Sequence, residues 1–350
     1  MRKFYFLVAL LAVITPAFSQ IQLDSSFTLS GSADVYFRKN INSSNTRIID
    51  GLSTGTTTAP GSSFANLPGF SLGMFNLIGT YSTEKYGFKA DLVFGPRGAD
   101  AVFLSAPALN IINQMYGWYQ LSDKVKVTMG NFNTYLGYEV ISPTVNYNYS
   151  TSYMFSYGPF SHTGLKVDFD LGSGLSLTGA LMNPTDYTDF DPFGKFYYGG
   201  QLGYAGDKGS AFLNYLGGDG YSQIDLTAGT QLTDKFFVGL NATTAKDLFY
   251  GAAIYAQVAA TDALGFGLRA EYFADQGIGI VGGVDESVTD VTFSLNYTVG
   301  NFRLIPEVRV DLYSSEDFVV TDSRLTGGEY VPSEFSKNLA SFVLAAVYSF

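Results

Sequence analysis

The sequence predicts an all-β chain: a transmembrane, antiparallel up-and-down β-barrel of about sixteen strands, with short periplasmic turns and long extracellular loops. Three observations predict it. Apolar residues recur at every second position through most of the chain. The segments that alternate run about ten to thirteen residues, longer than the usual soluble strand of about five or six. The connections between them alternate between short and long. Side chains on a strand point to opposite faces in turn, so each segment has one apolar and one polar face. A soluble sandwich would bury the apolar face between sheets and has no reason to sort its loops. A barrel turns that face to lipid, and it must close because every backbone N–H and C=O in the bilayer needs a partner within the protein.

The chain opens with Arg2 and Lys3, an apolar run from Phe4 to Ile14, and the small residues Ala17 and Ser19. This is the form of a secretory signal peptide cut after Ser19. At about eleven residues the run is too short to cross a bilayer as a helix. The expected organisation is therefore 1–19 as signal peptide and 20–350 as barrel. Removing 1–19, which holds two basic and no acidic residues, leaves 331 residues with a formal charge of −13.

Strands are expected near 27–37, 69–81, 86–94, 111–121, 123–132, 160–171, 174–182, 196–205, 209–216, 222–232, 235–243, 249–259, 263–273, 288–299, 301–312 and 338–350. In 88–94, for example, Phe88, Ala90, Leu92 and Phe94 share one face while Lys89 and Asp91 share the other. Short turns fall at Thr83–Lys85, Ser122-Asp123, Gly172–Gly174, Gly206–Lys208, Thr233-Asp234, Thr261-Asp262 and Gly300. Longer loops fall at 38–68, 95–110, 133–159, 183–195, 217–221, 244–248, 274–287 and 313–337, of which 38–68 and 313–337 have room for a further hairpin. Phe88, Phe94, Phe196, Tyr204, Tyr272, Tyr348 and Phe350 lie near strand ends on the outward parity, where rings settle at a membrane–water interface.

Composition agrees. The 350 residues include 30 Phe, 25 Tyr, one Trp and 39 Gly but only 15% charged residues. Yet the mean hydropathy is only +0.12, as expected if lipid-facing and water-facing halves cancel. The absence of Cys excludes thiolate metal sites and disulfides, and a single histidine excludes a multi-histidine centre. A charge of −11 argues against nucleic acid as a partner. No cofactor, catalytic set or metal site is expected.

The inward parity carries Lys89, Asp91, Lys124, Lys126, Lys166, Asp168, Arg269, Glu271, Arg303, Glu307, Arg309 and Asp311. On the lipid face such charges would cost several kcal/mol, about 2–4 for a cation at the midplane. In a wet lumen they are expected to line a pore and set its selectivity. A barrel of about sixteen strands is too wide for wall side chains alone to fill. The expected constriction is the loop 133–159, rich in tyrosine and with Glu139 as its only charge, lining the constriction and favouring cations. Acids at Asp186, Asp189, Asp191, Asp285, Glu286, Glu316, Asp317 and Asp322 are expected to form a solvated outer rim. The G-x-G patterns at Gly277–Gly282 and Gly265–Ala270 open no helix, as a dinucleotide site requires. His162 is expected on the lumen wall.

The stretch from Tyr116 to Val167 holds Gly130-Asn131-Phe132, Leu136-Gly137-Tyr138-Glu139, Tyr153-Met154-Phe155-Ser156-Tyr157 and Gly158 to Gly164. Over these residues the chain resembles the OmpL-like outer-membrane porins of Gram-negative bacteria. Its terminal Tyr348-Ser349-Phe350 also resembles the C-terminal signal that such barrels present to the barrel-assembly machinery. The resemblance implies an outer-membrane location and no catalytic residue. The function expected is passive diffusion of small hydrophilic solutes, with outer-membrane lipid as the surroundings and a homo-oligomer as an open arrangement. The other reading is a barrel without a channel, an adhesin or structural protein acting through its outer loops.

Overall fold

The structure is a computed structural model, in which residues 21–22, 26–46, 55–189, 191 and 194–350 are described. The expected signal peptide lies outside the described residues. Two residues, β1 (Ile21–Gln22), pair beside the start of β2 (Phe27–Asn40). There follow β3 (Gly69–Ser82), β4 (Tyr86–Phe94), helix α1 (Pro96–Ala101), β5 (Ile112–Ser122), β6 (Val125–Asn133) and helix α2 (Tyr153–Tyr157). Next come β7 (Ser161–Gly172), β8 (Leu175–Met182), β9 (Tyr197–Ala205), β10 (Gly209–Gly218), β11 (Tyr221–Thr233), β12 (Phe236–Ala245) and β13 (Phe249–Ala259). The chain ends with β14 (Leu264–Asp275), β15 (Ser287–Val299), β16 (Phe302–Tyr313), β17 (Val319–Thr326), β18 (Glu329–Ser336) and β19 (Asn338–Ser349).

From β2 to β16 each strand pairs antiparallel with the next, and β19 joins β16 to β2. Sixteen strands thus close a ring, with β1 as an appendage. At the seam Gly31 and Phe350 exchange both backbone hydrogen bonds at 2.9 Å. Closure leaves no edge, as a bilayer demands. All sixteen expected strands are present, with ends shifted by at most three residues. The expected room for a hairpin in 313–337 is used by β17 and β18, but they form a separate two-stranded sheet, so the barrel count is unchanged.

The outward face is apolar. Along β13 the exposed positions are Tyr250, Ala252, Ile254 and Val258, and their neighbours are buried. The expected interfacial residues Phe88, Phe94, Phe196, Tyr204, Tyr272 and Tyr348 are all exposed on this outer surface.

Loop sorting holds less strictly than expected. Between β10 and β11 only Asp219 and Gly220 intervene, with φ of 48° and 86°. Positive φ at both central positions makes a tight two-residue hairpin turn, for which Asp-Gly is suited. Between β12 and β13 only 246–248 intervene. These two outer connections are as short as the periplasmic turns.

Candidate functional site

The barrel is not lined by its wall alone. The chain between β6 and β7, residues 134–160, folds into the lumen. Among the described residues the interior holds four buried apolar clusters, and each contains a residue of this loop: Tyr138, Tyr153 and Met154 in the first, Ile141 and Phe155 in the second, Tyr149 in the third and Leu136 in the fourth. Where the loop lies on the wall, the wall offers glycine or flat rings. Tyr138 stacks on Tyr255 of β13 with ring centroids 3.9 Å apart. A β-carbon at Gly239 would collide with the Tyr138 ring, and one at Gly265 or Gly267 with the Tyr147 ring. The glycines of the Gly265–Ala270 pattern therefore serve close approach of a side chain. Those of Gly277–Gly282 belong to a loop in which Asp275 accepts the N–H groups of Gly277, Ile278 and Ile280 at 2.7–3.0 Å.

Polar contacts fix the loop's backbone. Glu307 of β16 accepts the N–H groups of Tyr149 (2.7 Å) and Ser150 (3.1 Å). Glu271 of β14 accepts those of Tyr153 (2.8 Å) and Met154 (2.7 Å). Arg269 and Arg309 donate to the carbonyls of Ser150 and Thr151, each at 2.8 Å. The arginines are themselves paired: Arg269 with Asp290 (2.6 Å) and Glu139 (2.7 Å), Arg309 with Asp311 (2.8 Å) and Asp290 (3.4 Å). Tyr153 donates its hydroxyl proton to Asp311 at 2.9 Å. Away from water, charged groups persist only when paired and hydrogen-bonded, and these are.

Sequence reasoning placed Arg269, Glu271, Glu307, Arg309 and Asp311 on the inner wall and Glu139 on the loop, and those are their positions. The structure brings Glu139, Arg269, Glu271, Glu307, Arg309 and Asp311 together as a clamp under the loop. The Glu139 side chain is only 3% exposed, with one oxygen on Arg269 and the other accepting the N–H of Ser152 at 2.7 Å. Arg303 donates to the carbonyls of Asn146 (3.2 Å) and Pro143. Asp91 is buried too, accepting from Asn113 (2.8 Å), Gln114 (2.9 Å) and Asn76. Across the barrel Lys126 and Lys166 flank Asp168 at 3.6 and 3.1 Å and remain partly open. Lys89 is half-buried and Lys124 exposed.

Several members were missed. Asp34 accepts the N–H of Met74 at 2.9 Å and the hydroxyl of Tyr149. Asp225 accepts the N–H of Gly137 at 2.9 Å. Asp290 unites both arginines. Each has inward parity, so the pattern that found the other acids applies to them. Arg97, in α1, donates to the carbonyl of Ile141 at 2.9 Å and lies over the Phe64 ring at 4.4 Å. No periodicity marks a loop residue such as this.

Two expectations at the outer end need correction or refinement. Asp186 does not belong to a solvated rim. It is buried and accepts the N–H groups of Phe160 (2.7 Å) and Ser161 (2.9 Å). Burial pushes its carboxyl up to about 6, against the lowering effect of these donors. His162 lies on the inner wall, with Nε2 2.9 Å from the Thr134 hydroxyl and its ring 5.3 Å from that of Tyr135, so it packs at the loop's entrance.

The family model described as "Putative beta-barrel porin-2, OmpL-like" matches residues 26–350. The chain belongs to this family. No curated protein sequence matches it. Among solved structures, the in-vitro folded trimer form of OmpT, an outer membrane protein of Vibrio cholerae, is similar at TM-score 0.55 and 10% identity, covering 93% of this chain and 99% of that one. The low-pH structure of Pseudomonas putida OprB gives 0.57 at 10% identity, covering 94% of each chain. A mutant of the Rh. blastica porin gives 0.53 at 14% identity, covering 93% and 100%. At these identities the likeness is one of fold. With the family, it makes this chain an outer-membrane, porin-like barrel.

Proposed function

We propose that this member of the porin family lets small hydrophilic solutes diffuse passively across the outer membrane, through a lumen narrowed by the loop 134–160. One observation carries the reading: the loop is clamped to the wall of β11–β16 and β2, while the wall opposite keeps cationic side chains that are at least partly exposed. The solute path runs along that opposite wall. Lys89, Lys124, Lys126, Lys166 and Asp168 line it. Asp91, Glu139, Arg269, Glu271, Arg303, Glu307, Arg309 and Asp311 act as structural supports, holding the loop and the wall. Tyr348 and Phe350 serve as the assembly signal, and the segment 1–19 as the export signal. The trimer form of the similar Vibrio cholerae OmpT supports a homo-oligomer. Single-channel recording of the purified chain in a planar bilayer tests the reading. Steady ohmic current steps are expected; a silent bilayer overturns it in favour of a barrel acting through its outer loops.

A further inference from the structure

Near the periplasmic turns of β3–β7 the inner wall holds a cavity of about 350 Å³, lined among others by Tyr116, Trp118, Gln120, Lys126 and Asp168. That volume is near the lower end of small-molecule sites, roughly 300–1,000 Å³. Trp118 is the chain's only tryptophan. Its partner across the β4–β5 pair is Gly87, and a β-carbon there would collide with the indole. The missing side chain lets the indole lie against the wall, where it helps line the cavity. No protein group among the described residues hydrogen-bonds the indole N–H. The Tyr116 ring continues the surface, its centroid 6.0 Å away.

The polar side of the cavity is mixed in sign. Two lysines, Lys124 and Lys126, face three acids, Glu84, Asp168 and Asp170. Lys126 and Lys166 flank Asp168, which also accepts from Thr178 at 2.8 Å. The lining therefore has no cationic excess to select an anion. It offers donors and acceptors side by side next to a flat aromatic surface. A neutral sugar ring matches both: its C–H face rests on a π face, and its edge hydroxyls donate and accept at once.

We propose that this cavity is a binding subsite for neutral saccharides, with Trp118 and Tyr116 as the platform and Gln120, Lys126 and Asp168 at the ring edge. The proposal rests on the porin reading and names its solute class. Because Trp118 is the only tryptophan, the emission of the refolded full-length chain in detergent reports this site alone. Titration with glucose or maltose is expected to change that emission saturably in the millimolar range, while acyclic mannitol and inorganic phosphate leave it unchanged. Gly87→Val, which pushes the indole off the wall but keeps the reporter, is expected to weaken binding about tenfold or more. Gel mobility before and after heating verifies that the variant is folded. Ohmic conductance together with an emission that no saccharide alters overturns the subsite and leaves the porin reading standing. An equal response to phosphate, or folded Gly87→Val binding as tightly as the parent, also overturns it. A saturable sugar response with a silent bilayer supports the subsite and overturns the porin reading.

Discussion

Glu139 illustrates how a charge with the right address serves a different purpose. It is the loop's only charge, yet its oxygens face Arg269 and the Ser152 N–H. An ion in the lumen meets a paired, buried carboxylate whose field its partner largely cancels. Glu139→Gln should therefore leave the cation/anion permeability ratio where it is and add current noise as the clamp loosens; reversal potentials in a salt gradient check this. A shift toward anions would mean that Glu139 faces the permeating ions. Asp186 gives a prediction with a defined sign. Its carboxyl titrates at about 6 in the folded protein and near 3.8 when free. A raised carboxyl favours the folded state only while protonated, so its contribution is complete below about pH 4 and lost as the pH rises through about 6. The gap is worth roughly 3 kcal/mol at most. Asn accepts the same two N–H groups without charge. Asp186→Asn should raise the melting temperature in detergent at pH 7.5 and leave it nearly unchanged at pH 4.

At the scale of elements, the strands are nearly self-supporting, while the loop 134–160 depends on the barrel around it. Its backbone donors end on Glu271 and Glu307, and its rings on Tyr255 and on glycine gaps. Replacing 140–148 with a short glycine linker should leave the ring of strands intact and raise single-channel conductance roughly twofold or more, because conductance follows the open cross-section. Selectivity should move toward anions, since Arg303 loses its Pro143 and Asn146 partners and then meets water. An unchanged conductance would mean that the loop does not narrow the path. This division also explains what was legible in the sequence. Each barrel strand carries a period-two pattern that lipid enforces on its outward face, so all sixteen strands of the ring could be read. The inward positions obey no such rule. Ala253 and Tyr255 of β13, Ile305 of β16 and Val343, Ala345 and Val347 of β19 face inward, are apolar and are buried, because inserted loops cover them. Nothing local in Tyr138 or Gly239 announces that they meet. Their contact spans a hundred residues and exists only once the barrel has closed. The inner-wall address of Arg269 or Glu307 was readable; whether it faces water or loop was not.

For the whole molecule, the arrangement inverts that of a soluble protein. Apolar residues form a belt outside, and the charged groups are buried within. Exposed Leu213, Ile224, Ile254, Leu268 and Phe293 belong to that belt, on neighbouring or nearby strands. If the belt faces hydrocarbon, the cost of a charge on it must depend on depth. A lysine at the midplane costs about 2–4 kcal/mol and one near an interface about 0–1. Ile254 is central in β13, and Leu232 lies at the periplasmic end of β11; the two are 57% and 56% exposed, so they differ in depth and hardly in exposure. Ile254→Lys should therefore lower the stability of the chain refolded in lipid vesicles by several kcal/mol, and Leu232→Lys by less than about 1 kcal/mol. Reversible denaturant titration in vesicles measures both. In a detergent micelle, which deforms around a charge, the difference should shrink. Equal costs for the two lysines in vesicles would contradict a belt immersed in a bilayer, because exposure alone predicts equality and only depth separates them.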